Sequence, residues 1–365
     1  MNHALVEWQL QFRWFNVRET TKVNGPGANF EVISVPLRAV VGSECLVKVY
    51  ASGICYSDRA VHSLSTSYPR VPGHEVIGRV VQHGPDVPDT ERLRLPLGGL
   101  VGAGWLAGSC RACEACRAND IFACAQVSAH RSARDGGHAE WFYALPEGLI
   151  SVPEEALEQL SYAELAPLLC AGVSAYDAIL ACEWRPGDII GVHGIGGLGH
   201  LAIQFAAKMG LRVHAISSGP EKQGLARAMG AVGYVDTLTD DVAVYFQKLG
   251  GAQVILSTAP SAGSMSAHLA RALRRAGTLM FVGLPYGGDQ PDAISVPGTL
   301  LVVNRLTVRG WVPACPANYE ACVRFAIHAG IKPRVECYAL HDIRSAFDLL
   351  MQERPGLRNV ITFAV

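Results

Sequence analysis

The sequence predicts an α/β protein in two parts: an irregular β-rich region, then a doubly wound parallel sheet. Three observations carry this. Short β-branched runs separated by turns fill residues 30–105, without regular helices between them. After Pro186-Gly187 the pattern becomes strand, glycine turn, helix and strand, repeated. A length of 365 residues also exceeds what one hydrophobic core usually fills.

In the first part, residues 30–35, 45–50 and 76–82 read as strands from their alternating and β-branched positions. Residues 93–105, with Gly98-Gly99 and Gly102, read as a strand pair with tight turns. Residues 162–180 read as a helix, with Ser161 as N-cap and Glu164 completing a capping box. In the second part, strands are expected at 188–193, 211–217, 233–236, 253–257, 277–283 and 307–310, with helices at 198–209 and 221–229. Six strands with crossover helices fit two mononucleotide-binding halves. Helices at 318–329 and 343–352 and a strand at 360–365 close the chain, the last returning to the first part. The expected domains are therefore residues 1–172, 173–313 and a return segment, 314–365. No internal repeat or low-complexity segment interrupts them.

Lys plus Arg, 31, nearly balances Asp plus Glu, 32, so no broad field draws the chain to nucleic acid or an anionic membrane. The first 20 residues carry charges among the aromatics and give no signal-peptide core. The longest apolar run, residues 165–180, is interrupted by Pro167 and Asp177. A cytosolic setting is expected. There, clustering among the eleven cysteines matters more than their odd count.

The sharpest cluster is Cys110-x2-Cys113-x2-Cys116-x7-Cys124. Four thiolates at that spacing can wrap one tetrahedral Zn²⁺ and leave no position open, which is a structural role. The bland alternative is four free or paired thiols in a polar loop. A dispersed set comprises Cys55 in GICYSD, His74-Glu75 in PGHE and Cys170 in LAPLLCAG. Two thiolates and an imidazole would leave a fourth zinc position open for chemistry, although each residue taken singly has an ordinary packing explanation. The third signal is Gly194-Ile195-Gly196-Gly197-Leu198-Gly199, which follows an expected strand and opens an expected helix. In that context the glycines permit close approach of a pyrophosphate to a helix N-terminus.

Together GICYSD, PGHEVIGRVV, the four-cysteine loop, LAPLLCAGVSAY and GIGGLGH, in this order, resemble the zinc-dependent medium-chain dehydrogenase/reductase family, the polyol, cinnamyl and yeast-type alcohol dehydrogenases. The resemblance extends from about Phe30 to the C-terminus. It implies a GroES-like catalytic domain and a Rossmann cofactor domain. It also implies two zincs per chain: a catalytic one held by Cys55, His74 and Cys170 with Glu75 beside it, and a structural one held by Cys110, Cys113, Cys116 and Cys124. By the same resemblance Ser57 hydrogen-bonds the substrate oxygen, and Asp58 is a carboxylate behind the ligands. The implied reaction is hydride transfer between a small alcohol or carbonyl compound and a nicotinamide cofactor, with zinc as Lewis acid. Relatives assemble as homodimers or homotetramers.

Three departures qualify the match. Ala60 stands where many relatives carry a proton-relaying His; His62, two residues on, is either a substitute or a solvated loop residue. Tyr56 replaces the usual His or Arg after the zinc cysteine. The opening segment, with Trp8, Phe12, Trp14 and Phe15, has no counterpart. At the end of the second cofactor-domain strand, an acid would select NAD. Ser217, Ser218 and Lys222 stand there instead, which favours NADP(H) over NAD(H). Two other readings remain at this point. One is zinc-assisted isomerisation, elimination or reduction of an activated double bond on the same fold, prompted by GWVPACPAN; the other is a non-catalytic binding protein. Pocket candidates by family position are Ser57, His62, Trp105 and the region of Trp311.

Overall fold

The computed structural model describes residues 17–25, 29–60, 68–260, 263–283, 293–352 and 357–364. The opening aromatic segment and His62 lie outside them. The chain forms two compact units. One comprises the described residues within Met1–Cys170 together with Ala314–Ile327 and Arg334–Val365; the other comprises Ala171–Pro313 and His328–Pro333.

The first unit is built on a sheet whose strands run, edge to edge, Val335–Tyr338, Arg358–Thr362, Cys45–Ile54, Val76–His83, Leu100–Ala103 and Leu149–Ser151. The long strand Cys45–Ile54 organises it. Register shifts near Val47 and Ala51 bend the strand. Its first half pairs with Trp141–Ala144 and its second half with Arg358–Thr362. Cys45, Val47, Val49, Val76, Val80, Val101 and Phe142 form the core beneath it.

The strand pair expected at residues 93–105 is corrected. Residues 93 and 94 end a helix, Asp89–Arg94, and only Leu100–Ala103 and, after it, Leu106–Gly108 are strands. Arg94 donates to Glu91, one turn earlier, at 2.8 Å, and this i,i+3 pair supports the helix ahead of the glycines. The helix expected over residues 162–180 is also broken. Ser161 and Glu164 make the capping box, but Pro167 sits in a 3₁₀ turn, Ala166–Leu169, and Cys170 leaves helical geometry at φ −136° before Ala171–Leu180 resumes.

In the second unit all six strands are parallel, in the order Gly233–Asp236, Arg212–Ser217, Ile189–His193, Ala252–Ser257, Leu273–Phe281, Thr307–Gly310. Every residue of Ile189–His193 and Ala252–Ser257 is buried, as strands covered on both faces require. The order reverses between these two strands, and at such a switch point open sheets bind ligands. Among the described residues no single helix is long and apolar enough to cross a membrane.

Candidate metal centres and dinucleotide loop

Three backbone features bring the dispersed trio together. The strand Cys45–Ile54 ends at Cys55, and its antiparallel partner Val76–His83 starts just after Glu75, with Ser52 opposite Val76. Gly53 N–H donates to the Glu75 carbonyl at 2.9 Å. The break after Ala166–Leu169 turns Cys170 out of its helix toward them. Cys55 Sγ and Cys170 Sγ stand 3.8 Å apart, and His74 Nε2 is 3.4 Å from Cys170 Sγ. Zinc–sulfur bonds of about 2.3 Å at tetrahedral angles separate two sulfurs by roughly 3.8 Å, so the donor set fits zinc. One ligand atom each from Cys55, His74, Glu75 and Cys170 fall within 4.8 Å of one another.

The electrostatics suit a cation. The hydrogen bond from Cys170 holds the Cys55 thiol well below its ordinary range against burial, with His74 assisting. That same bond, then burial, pushes Cys170 well up. Burial works against charge on His74, but Asp58 and Cys55 outweigh it and raise its pKa to about 9. Asp58 is wholly buried; His74 and His138 overcome that burial and keep its carboxyl well below the carboxylate range. Asp58 Oδ1 lies 3.0 Å from His74 Nδ1 and accepts its N–H, which leaves Nε2 as the ring nitrogen turned toward the sulfurs. The Ser57 hydroxyl is 3.1 Å from Cys55 Sγ and 3.4 Å from His74 Nε2. Glu75 is tied to the buried Arg358, while among the described residues its Oε2 has no hydrogen-bond partner. Burial raises the Glu75 pKa and Arg358 opposes the rise.

The second cluster forms as the spacing implied. Cys110 Sγ is 3.9 Å from Cys116 Sγ and 3.5 Å from Cys124 Sγ, again near the tetrahedral edge. Arg111 and Asn119, at φ 58° and 61°, supply the left-handed turns that wrap the loop. The Cys113, Cys116 and Gln126 amides point at sulfurs at 3.4–3.5 Å. The bond from the Cys113 amide leads the lowering of Cys110 to about 6. None of the eleven cysteines is in a disulfide.

In the second unit, Gly194 leaves the strand Ile189–His193 at φ 90°. The Thr258 hydroxyl spans the His193 and Gly194 carbonyls at 3.0 Å each. A Cβ at Gly199 would collide with the Gly194 carbonyl oxygen, whereas one at Gly196 would meet none of the described residues within 4 Å. Ile195 is buried, and Gly199 starts a ten-residue helix, Gly199–Lys208. Gly197 and Leu198 complete the turn, and no side chain caps the helix. Ser217 is buried at its strand end, while Ser218 and Lys222 are exposed; Asp236 Oδ1 accepts from the Gly219 amide at 2.8 Å and fixes that loop.

Residues 42–154 match the alcohol dehydrogenase GroES-like domain, and residues 197–327 match the zinc-binding dehydrogenase domain. An alcohol dehydrogenase, notN, of Aspergillus sp. (strain MF297-2) is 35% identical over 92% of this chain and 95% of its own. The chain belongs to the zinc-dependent medium-chain dehydrogenase/reductase family. An alcohol dehydrogenase of Geobacillus stearothermophilus is 32% identical over 87% of this dehydrogenase and 91% of its own chain. The structure of CAD from Helicobacter pylori complexed with NADP(H) is 25% identical, covers 95% of this dehydrogenase and 98% of its own chain, and gives a TM-score of 0.79. The fold is GroES-like plus Rossmann, and the activity class is alcohol dehydrogenase/reductase.

Sequence reasoning missed three side chains of this dehydrogenase. Arg358 lies 283 residues from Glu75, and Arg131 and His138 both approach Asp58, at 3.9 and 3.5 Å. No local pattern announces partners so far apart in the chain.

Proposed function

We propose that this dehydrogenase interconverts a small alcohol and its aldehyde or ketone with NADP(H), holding two zincs per chain. The observation that carries the reading is the meeting of Cys55, His74 and Cys170 with sulfur spacing near a tetrahedral edge. When bound there, zinc supplies Lewis acidity to a substrate oxygen. Cys55 and Cys170 would provide thiolate charge, and His74 would provide Nε2, because its Nδ1–H donates to the ionised Asp58. Ser57 Oγ, 3.1 Å from Cys55 Sγ, would orient the substrate oxygen by a hydrogen bond. Glu75, buried with one oxygen unbonded, would be the carboxylate able to approach the metal during ligand exchange. Cys110, Cys113, Cys116 and Cys124 would hold the second, closed zinc.

For the cofactor, Gly194, Gly196 and Gly199 with Ile195, Gly197 and Leu198 would receive the pyrophosphate. Ser217, Ser218 and Lys222 would receive a 2′-phosphate; the exposure of Ser218 and Lys222 supports this, as does NADP(H) in the Helicobacter pylori relative. A homo-oligomer is supported by the edge strand Thr307–Gly310 and the neighbouring Val302 and Val303, 77% and 61% exposed. The test is a panel of alcohols and aldehydes assayed with NADPH and NADH, alongside metal analysis. NADPH should be preferred, and Ser218→Asp should reverse the preference. A wild-type preference for NADH would refute the cofactor assignment, and no hydride transfer with any substrate would refute the reaction.

A further inference from the structure

His138 has no role in the reaction above, yet it is wholly buried in the first unit. Its backbone is held on both sides. His138 N–H donates to the Pro72 carbonyl at 2.9 Å, and its carbonyl accepts from the Thr21 amide at 3.0 Å and hydroxyl at 2.9 Å. The ring is seated against the peptide that carries His74: a Cβ on Gly73 would lie 2.7 Å from His138 Nδ1.

The surrounding donors fix its tautomer. His138 Nε2 faces Asp58 Oδ2 at 3.5 Å without completing a hydrogen bond, and Nδ1 lies 2.9 Å from Ser52 Oγ. An ionised carboxylate only accepts, so a lone pair on Nε2 would face like charge. The proton therefore sits on Nε2, and Nδ1 accepts the Ser52 O–H. Asp58 Oδ2 also receives the Cys55 amide at 2.9 Å, and Oδ1 receives His74 Nδ1 at 3.0 Å. One carboxylate thus lies between two imidazoles, and only one of these faces the sulfurs.

We propose that His138 is a positioning residue for the metal centre: through Asp58, and with its tautomer set by Ser52, it fixes the ring of His74 for coordination. The proposal rests on the assignment of Cys55, His74 and Cys170 as ligands. A carboxylate free to rotate would let the His74 ring turn, and losing such outer partners weakens metal binding by about 10–100-fold.

The test measures metal release from the purified enzyme to a chromogenic chelator, with the cobalt-substituted visible spectrum as a second readout. Wild type is compared with His138→Phe, His138→Gln, Ser52→Ala and Cys170→Ser. In His138→Phe one metal equivalent should leave on the order of tenfold faster, with altered cobalt bands, while the other leaves at the wild-type rate. His138→Gln keeps an N–H where Nε2 stands and should release metal nearly as slowly as wild type. If His138→Phe does not fold, Ser52→Ala decides: faster release of the same equivalent supports the proposal. Wild-type release and bands in a folded His138→Phe, or in Ser52→Ala where it serves as the deciding variant, would overturn it. Failure of Cys170→Ser to remove a metal that wild type holds would instead overturn the ligand assignment.

Discussion

Asp58 Oδ1 lies 3.0 Å from Nδ1 of His74, with both side chains sealed from solvent. This carboxylate sets which imidazole nitrogen carries the proton. Asp58→Asn removes the charge and offers His74 an amide that can point either way. Zinc affinity at Cys55, His74 and Cys170 should fall about 10–100-fold, roughly 1.4–2.7 kcal/mol. The four-cysteine loop should keep its metal. Competition with a chelator of known affinity checks both; an unchanged affinity at the first site would refute the role.

The loop itself has little apolar support. Cys110, Cys113 and Cys116 are only partly buried, and Phe122 within it is 54% exposed. With the proposed zinc bound there, coordination would supply much of its folding energy. Cys113→Ser should lose one metal equivalent and lower the melting temperature by several degrees. Calorimetry with metal analysis reads both, and a full metal complement with unchanged melting would count against a bound ion there.

The glycines of the dinucleotide loop should separate into two kinds. Gly196→Ala meets no neighbour within 4 Å, so its melting temperature should match wild type while cofactor binding weakens by tenfold or so, because a methyl intrudes where the pyrophosphate approaches. Gly199→Ala drives a Cβ into the Gly194 carbonyl and should lower stability itself. Cofactor titration by fluorescence, beside thermal melts, distinguishes them. Equal damage to stability by both would contradict the assignment.

Acid should destabilise the protein through buried neutral histidines. Burial depresses His130 to about 4, against an ordinary value of 6.5; its Nδ1 is 2.9 Å from the Gly104 carbonyl and its Nε2 has no partner among the described residues. Because the folded value is the lower one, the unfolded chain takes up the proton first. His130 thus contributes stability that is complete above about pH 6.5 and is lost as pH falls toward 4, about 3 kcal/mol in all. His193 and His214 shift the same way, also to about 4. Urea unfolding at pH 7.5 and pH 5 should show the loss, and His130→Gln should reduce it. An identical pH dependence in that variant would exclude His130 as a source.

What the sequence by itself determined is whatever local chemistry can encode. Cys110, Cys113, Cys116 and Cys124 lie in one short loop, so their spacing alone brings the sulfurs together. The Gly194–Gly199 turn was equally legible, because a strand, a positive-φ glycine and a helix follow one another in the chain. The tertiary structure alone decided the surroundings of the other candidate metal centre. Cys170 reads as a helix-interior residue, and only the packed 3₁₀ turn shows it leaving the helix to face Cys55. His138, Arg131 and Arg358 reach Asp58 and Glu75 across long separations in the chain. A buried charge must find its partner in space, and sheet pairing rather than sequence spacing decides which distant residue that is.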